Sequence, residues 1–244
     1  MKIAGSSRKD GMMLYGPHYK VKVTVPQPGD EPVIEVKEHP AGEAVAKSGQ
    51  IPVVRGIASI MLNNLPITAG LGIELLTEVQ TARGKKPVLL PLLGTALSGY
   101  YVYKIAGNVG RLRRFHGAEH KVIAAPEAGV PLDLVHVQET SRISDRCGTN
   151  FAGFYLPAQL LTALLPIPSE TLKAVLAMGA AYEGFKLDRE KYAKYVAPFY
   201  KLGAKAQEYI TTAEPEKEEM EAAIAGMKAL VQAEELYEKE KEKA

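Results

Sequence analysis

The sequence predicts a mainly α protein with a small N-terminal β-hairpin, an α+β chain whose helical core raises the question of membrane association. Three observations carry this. Period-two alternation is confined to the first forty residues, helical signals dominate from Ala41 onward, and the last thirty or so residues form an amphipathic pattern of their own. They suggest three parts: a β-rich segment over 1–45, a helical core over 46–210, and a C-terminal amphipathic helix over 211–244.

Tyr19 to Val25 alternates as Tyr-Lys-Val-Lys-Val-Thr-Val, with β-branched residues on one face, the mark of a half-exposed strand. Turn chemistry follows in Pro26-Gln27-Pro28-Gly29-Asp30-Glu31-Pro32, and Val33 to Lys37 resumes the extended pattern, which gives the hairpin. Asp10 to Pro17 reads as a further short strand or a loop laid on the core. Helices are expected over Pro52–Asn64, Thr68–Arg83, Val88–Gly107, from near Arg111, over Phe151–Leu165 and over Glu170–Lys186. Gly84-Lys85-Lys86-Pro87 and Gly129-Val130-Pro131 supply breaks. Leu134 to Thr140 suits a short helix, and Ser141 to Thr149 is polar and irregular. Thr211-Thr212-Ala213-Glu214-Pro215-Glu216 offers an N-cap hydroxyl with proline and acids in the first turn. Met220, Ile224, Met227 and Val231 then recur at helical spacing, on a face that must dock on something.

With 46% apolar and 24% charged residues, the composition is that of a folded protein. A net charge of +2 gives no case for nucleic acid, and none is expected as a partner. The single cysteine, Cys147, excludes an internal disulfide and suits a reducing compartment. The N-terminal residues lack the apolar run of a signal peptide, so synthesis in the cytoplasm without cleavage is expected. Three stretches carry no charge over roughly the length of a membrane span: Gly56–Ile73, Pro87–Tyr103 and Cys147–Ser169. Their asparagines, prolines and glycines fit buried core helices equally well. Arg111, Arg113 and Arg114 resemble a cytoplasmic flank.

The chemistry concentrates in Arg114-Phe115-His116-Gly117-Ala118-Glu119-His120-Lys121. On a helix His116 and His120 lie one turn apart on one face, with Glu119 between them. Two imidazoles at that spacing can share a metal ion, and the carboxylate can be a third ligand or a general base on bound water. The pattern H-x-x-E-H is also the signature of the inverted zinc peptidases. Gly117 and Ala118 keep the adjoining surface thin enough for close approach. Cys147, in Arg146-Cys147-Gly148-Thr149, is either a further ligand that leaves an open position for water or a small buried hydrophobe. Arg146 can hold an anion or lower the pKa of the neighbouring thiol. Asp10 would join the site if the N-terminal segment folds over it. His136 reads as structural, and His18 and His39 are given no role.

His116 to Lys121 and Arg146 to Thr149, in this order and separation, resemble the two signature motifs of the YqhQ-like family of uncharacterised bacterial proteins. Asp10-Gly11-Met12-Met13-Leu14-Tyr15-Gly16-Pro17 is similar to the family's E-G-V-M-M-R-G-P, though Asp10 replaces a glutamate and Tyr15 an arginine. Pro52-Val53-Val54-Arg55-Gly56, Ala181-Tyr182-Glu183 and Thr211-Thr212-Ala213-Glu214-Pro215 are similar to its P-x-x-R-G, S-Y-E and T-T-R-E-P. The resemblance implies a metal-dependent enzyme, usually with several membrane spans, and no defined reaction. A membrane-associated protein with a cytoplasm-facing site is therefore expected, or a cytoplasmic one if soluble. The inverted zinc peptidases add Glu183 as a candidate ligand from a later helix, where a helix-surface carboxylate is the other reading.

These readings favour a metal-dependent hydrolase, peptidase-like in its most specific form. A divalent ion, zinc by preference, would be held by His116, His120, Cys147 and Glu183, with Glu119 as the catalytic base. In a variant, Glu119 is a ligand and Cys147 a nucleophile polarised by a histidine. The competing reading is a membrane or scaffold protein in which the cluster staples helices. In either case the C-terminal helix can dock on a partner or on another copy, and the substrate is unnamed.

Overall fold

The computed structural model describes residues 3–38, 65–84 and 109–241. They fold as an α+β protein with a small antiparallel sheet at the N-terminus and helices after it. The helices expected over Pro52–Asn64 and Val88–Gly107, His39, and the Pro52 to Gly56 motif lie outside the described residues. Two compact units divide the chain.

The first unit begins with four strands in sequential order: β1 (Ala4–Arg8), β2 (Gly11–Tyr15), β3 (Tyr19–Thr24) and β4 (Val33–Glu38). The expected hairpin is β3–β4, paired from Tyr19↔Glu38 to Thr24↔Val33. The Gly11 to Tyr15 segment extends it as β2, and Ala4 to Arg8 adds an edge strand whose small polar residues carry no strand signature. The pairs Met12↔Val23 and Leu14↔Val21 point to one face and are fully buried there. Two helices cover that face, α2 (Val109–Glu127) over β1 and β2 and α7 (Lys217–Lys241) over β2 and β3.

Helix α2 presents Phe115, Ala118, Val122 and Ala125 to this core at helical spacing, each wholly buried. It ends in a Schellman motif: Gly129 takes φ 68°, Val130 N–H donates to the Ala125 carbonyl, and Gly129 N–H donates to that of Pro126. The short helix α3 (Leu134–Glu139) is N-capped by Asp133, which accepts from the backbone N–H and ring of His136. His136 thus has the structural role expected of it. The apolar face of α7 buries Met220, Ile224, Met227 and Leu230 against this chain's own sheet, with Val231 at its margin. Its start differs from expectation. Thr212 donates instead to the Gln207 carbonyl, and the helix opens at Lys217 with Glu219 accepting from the Glu216 N–H.

Arg111, Arg113 and Arg114 are engaged within the first unit. Arg111 pairs with Glu218 at 2.7 Å and Arg114 with Glu219 at 2.8 Å, at the acidic start of α7. Arg113 donates to the Tyr209 and Thr212 carbonyls.

The second unit holds α1 (Leu65–Ala82), α4 (Thr149–Ala163), α5 (Glu170–Lys186) and most of α6 (Ala193–Ala206). The sequence reading assigned no element to α6, where Pro198 and Gly203 interrupt the periodicity. Phe154, Ala181 and Val196 form its core, ringed by Phe151, Phe185, Phe199 and Tyr200. Glu78 of α1 accepts from the Ser169 hydroxyl and from both N–H and hydroxyl of Thr171, and these bonds lower its carboxyl pKa.

No helix among the described residues is long and apolar enough to cross a membrane. The uncharged run from Cys147 folds as the 15-residue α4 and a loop rather than as a span. Of the other two runs, Pro87–Tyr103 lies outside the described residues and Gly56–Ile73 is described only from Leu65, within α1.

Candidate metal centre

The site grows from the second face of α2. His116 and His120 stand one turn apart, their rings edge to face with centroids 4.5 Å apart. Cys147, at the end of the irregular loop after α3, returns to this face, and its Sγ lies 3.3 Å from His116 Nε2. One donor atom from each of His116, His120 and Cys147 falls within 4.8 Å of the others. Donors around a tetrahedral zinc stand about 3.3–3.8 Å apart, so the set is close to coordination distance without an ion. His120 and Cys147 are buried and His116 is half-buried.

Both imidazoles are held from behind. His116 Nδ1 lies 2.9 Å from the Thr211 carbonyl, and His120 Nδ1 lies 2.6 Å from the Arg142 carbonyl. A carbonyl only accepts, so each Nδ1 carries the hydrogen and each neutral ring keeps its lone pair on Nε2. This is the outer-shell arrangement that orients histidine toward a metal. The donor set therefore fits a divalent ion of the zinc type.

Two local devices fix the anchors. Gln207–Thr211 forms a π-helical turn that continues α6 and ends on Thr212. The strap after it crosses α2 at Gly117, where Ala213 N–H donates to the Arg113 carbonyl at 2.9 Å. A Cβ on Gly117 would overlap the Ala213 carbonyl oxygen, so the crossing needs glycine. Arg142 is fixed by Glu214 at 2.9 Å and by the Thr212 hydroxyl at 2.7 Å. Buried Lys121 donates to the Gln138 and Thr140 carbonyls, each at 2.8 Å, and ties α3 to the same wall.

Glu119 faces β1, where its carboxylate accepts from the Ser7 hydroxyl and leaves no room for a side chain on Gly5. Burial pushes its pKa above the usual carboxylate range, opposed by the Ser7 hydrogen bond and, only when that ring is protonated, by His116. It is not among the three converging residues. The N-terminal segment thus packs on the helix that carries the histidines, through Ser7 at Glu119. Asp10 sits in the turn before β2, its carbonyl accepting from Val25 N–H. Glu183 sits on α5 of the second unit, with Oε1 buried and unpaired. Arg146 pairs with Glu127.

The three converging side chains were legible in the sequence, and the contacts behind them were not. Ser7 had no signal, and the Thr211 and Arg142 anchors act through backbone carbonyls.

Residues 93–233 match the family model described as a protein of unknown function, DUF1385. The chain belongs to this family. It is also 29% identical over 154 residues to the uncharacterized protein YqhQ of Bacillus subtilis (strain 168), a match over 58% of this chain. That alignment spans 48% of the relative's length. No solved structure matches significantly. His116, His120, Cys147 and both carbonyls behind the histidines fall inside the family-matched region, whereas Ser7 lies before it.

Proposed function

We propose that the protein is a metal-dependent hydrolase in which His116 Nε2, His120 Nε2 and Cys147 Sγ hold one divalent ion, zinc by the chemistry of its donors. The observation that carries this is the pair of carbonyls behind the histidines, which leaves Nε2 of each ring for an ion, with Cys147 Sγ 3.3 Å from His116 Nε2 and one donor atom of each of the three residues within 4.8 Å of the others. Three protein donors converge among the described residues, and such a set leaves a position for water. The ion supplies Lewis acidity at that position. Glu119, beside His120 on α2, is assigned the role of proton acceptor. Ser7 holds it in place. The reading needs no part from Glu183.

Metal analysis of protein purified without added metal is the direct test, with cobalt substitution as readout. The parent should bind one equivalent and show a thiolate-to-cobalt charge-transfer band. Cys147→Ser should lose that band, and His116→Ala/His120→Ala should lose the metal. A protein that binds no zinc or cobalt would end this reading.

One observation favours a second reading. The 3.3 Å contact between Cys147 Sγ and His116 Nε2, with Nδ1 anchored, is also the geometry of a thiol activated by imidazole. Alkylation separates the two. Under the metal reading zinc protects Cys147 from iodoacetamide. Under the thiol reading the metal-free protein alkylates fast at neutral pH and added zinc changes nothing.

A further inference from the structure

The π-helical turn that follows α6 does more than present the Thr211 carbonyl. Its first residue, Gln207, is wholly buried, and its side chain meets the loop that carries Cys147. The amide engages one residue of that loop twice. Oε1 accepts from the Ser144 N–H at 2.9 Å, and Nε2 donates to the Ser144 carbonyl at 3.0 Å. An amide carries donor and acceptor side by side, so it can hold the N–H and C=O of a single residue at once. Ser144 opens a turn that Cys147 closes, the Cys147 N–H donating to the same Ser144 carbonyl at 3.4 Å. Inside the turn Ser144 Oγ accepts from the Arg146 N–H. The ends of a β-turn lie within about 7 Å of each other, so a hold on Ser144 is a hold on the thiol.

The main chain of Gln207 acts on the other side of the Cys147–His116 contact. Its carbonyl accepts from the Thr212 N–H at 2.9 Å and from the Thr212 hydroxyl at 2.7 Å. Those bonds end the π-helical turn and fix Thr211, whose carbonyl stands behind His116. One buried residue therefore reaches the thiol through its side chain and the imidazole through its backbone. Such π-helical turns are frequent at functional sites.

We propose that Gln207 is a positioning residue, which sets Cys147 against His116 and His120. The placement of the thiol stands on the contacts of Gln207 alone. Its consequence for an ion rests on the metal reading above.

The test reads the metal-free full chain by NMR, through cross-peaks between the Cys147 β-protons and the His116 ring. The parent should show them. Gln207→Met keeps the length and bulk of the side chain but makes neither bond to Ser144, and it should lose them. Glu234→Ala is the control for a purely structural role. It removes a buried acceptor in the same unit that holds His18 and Tyr19 rather than the loop, and it should keep the cross-peaks. Should Gln207→Met not fold, Gln207→Asn keeps an amide one methylene short of Ser144 and should lose them likewise. Cobalt supplies a second readout. In Gln207→Met the thiolate-to-cobalt band should vanish while the ion stays on the two histidines, with affinity lowered about 10–100-fold, the usual effect of losing an outer-shell partner. A folded Gln207 variant that keeps the parent's cross-peaks, or that loses them no more than Glu234→Ala does, overturns the positioning role. Retention of the full cobalt band overturns it too. Failure of the parent to bind cobalt removes the metal reading alone, and loss of the cross-peaks in the Gln207 variants still supports the positioning role. Absence of the cross-peaks from the parent removes the Cys147–His116 contact, and the positioning role with it.

Discussion

Replacing Gly117 by alanine separates the strap from the helix it crosses. In a helix interior alanine is normally better than glycine by about 1 kcal/mol. Here its Cβ would overlap the Ala213 carbonyl oxygen, a backbone atom with no rotamer to escape into. Forcing that shift costs about 1–3 kcal/mol. It also strains two hydrogen bonds, Ala213 N–H to Arg113 and His116 Nδ1–H to Thr211, worth about 1 kcal/mol each. Against the propensity gain, the net expected loss is about 2–4 kcal/mol. Urea unfolding of the metal-free protein measures it. Gly110, the second residue of the same helix, is the control, because a Cβ there meets nothing within 4 Å. Gly110→Ala should be neutral or stabilising by up to about 1 kcal/mol. Zinc competition supplies a second readout, since loss of an outer-shell anchor typically lowers metal affinity about 10–100-fold. If Gly117→Ala matches Gly110→Ala in stability and keeps the parent's zinc affinity, the strap does not hold His116 as described.

Glu119→Gln should make the metal-free protein's stability less sensitive to rising pH. A carboxyl with raised pKa stabilises the fold fully below its unfolded value, and that contribution disappears as pH rises through the folded one. The parent should therefore lose stability relative to the variant as pH climbs from about 4.5 upward, and parallel curves would contradict the assigned burial. Glu234→Ala should cost about 3 kcal/mol in urea unfolding, because Glu234 accepts from the His18 and Tyr19 N–H groups and from the His18 ring. A change under 0.5 kcal/mol, the size of an ordinary surface substitution, would show the cluster to be incidental. Met227→Ala, in the wholly buried seam between α7 and the sheet, should cost about 2–5 kcal/mol by the same assay. A loss below about 1 kcal/mol would mean that α7 is not packed on the sheet.

How legible these features were depends on where their information resides. Helix α5 was readable because Glu170 to Lys186 keeps uninterrupted helix-forming chemistry behind a serine cap. Helix α6 was not, because Pro198 and Gly203 break the pattern and its packing comes from aromatic neighbours distant in sequence. Strand β3 shows its alternation openly, whereas β1 is a strand only because β2 offers a ladder and α2 a surface. The apolar stripe of α7 was visible, but not that the sheet of the same chain covers it. His116, His120 and Cys147 were readable because their side chains carry the chemistry. The Thr211 to Pro215 segment was visible too, but its residues suggested a helix cap, and only the crossing at Gly117 reveals a strap.

The two histidines are four residues apart, yet the carbonyls that aim them come from positions 95 and 22 residues away, and the thiol from 31. A newly made chain therefore has a loose imidazole pair long before it has a site. Closing the longest of these loops is the slow, entropically opposed event, because distant contacts are rewarded only once they form. If the proposed site takes a metal, its capture is accordingly a late step, a readout of completed folding rather than its trigger. An ion offered during refolding should acquire its final coordination no faster than the strap docks.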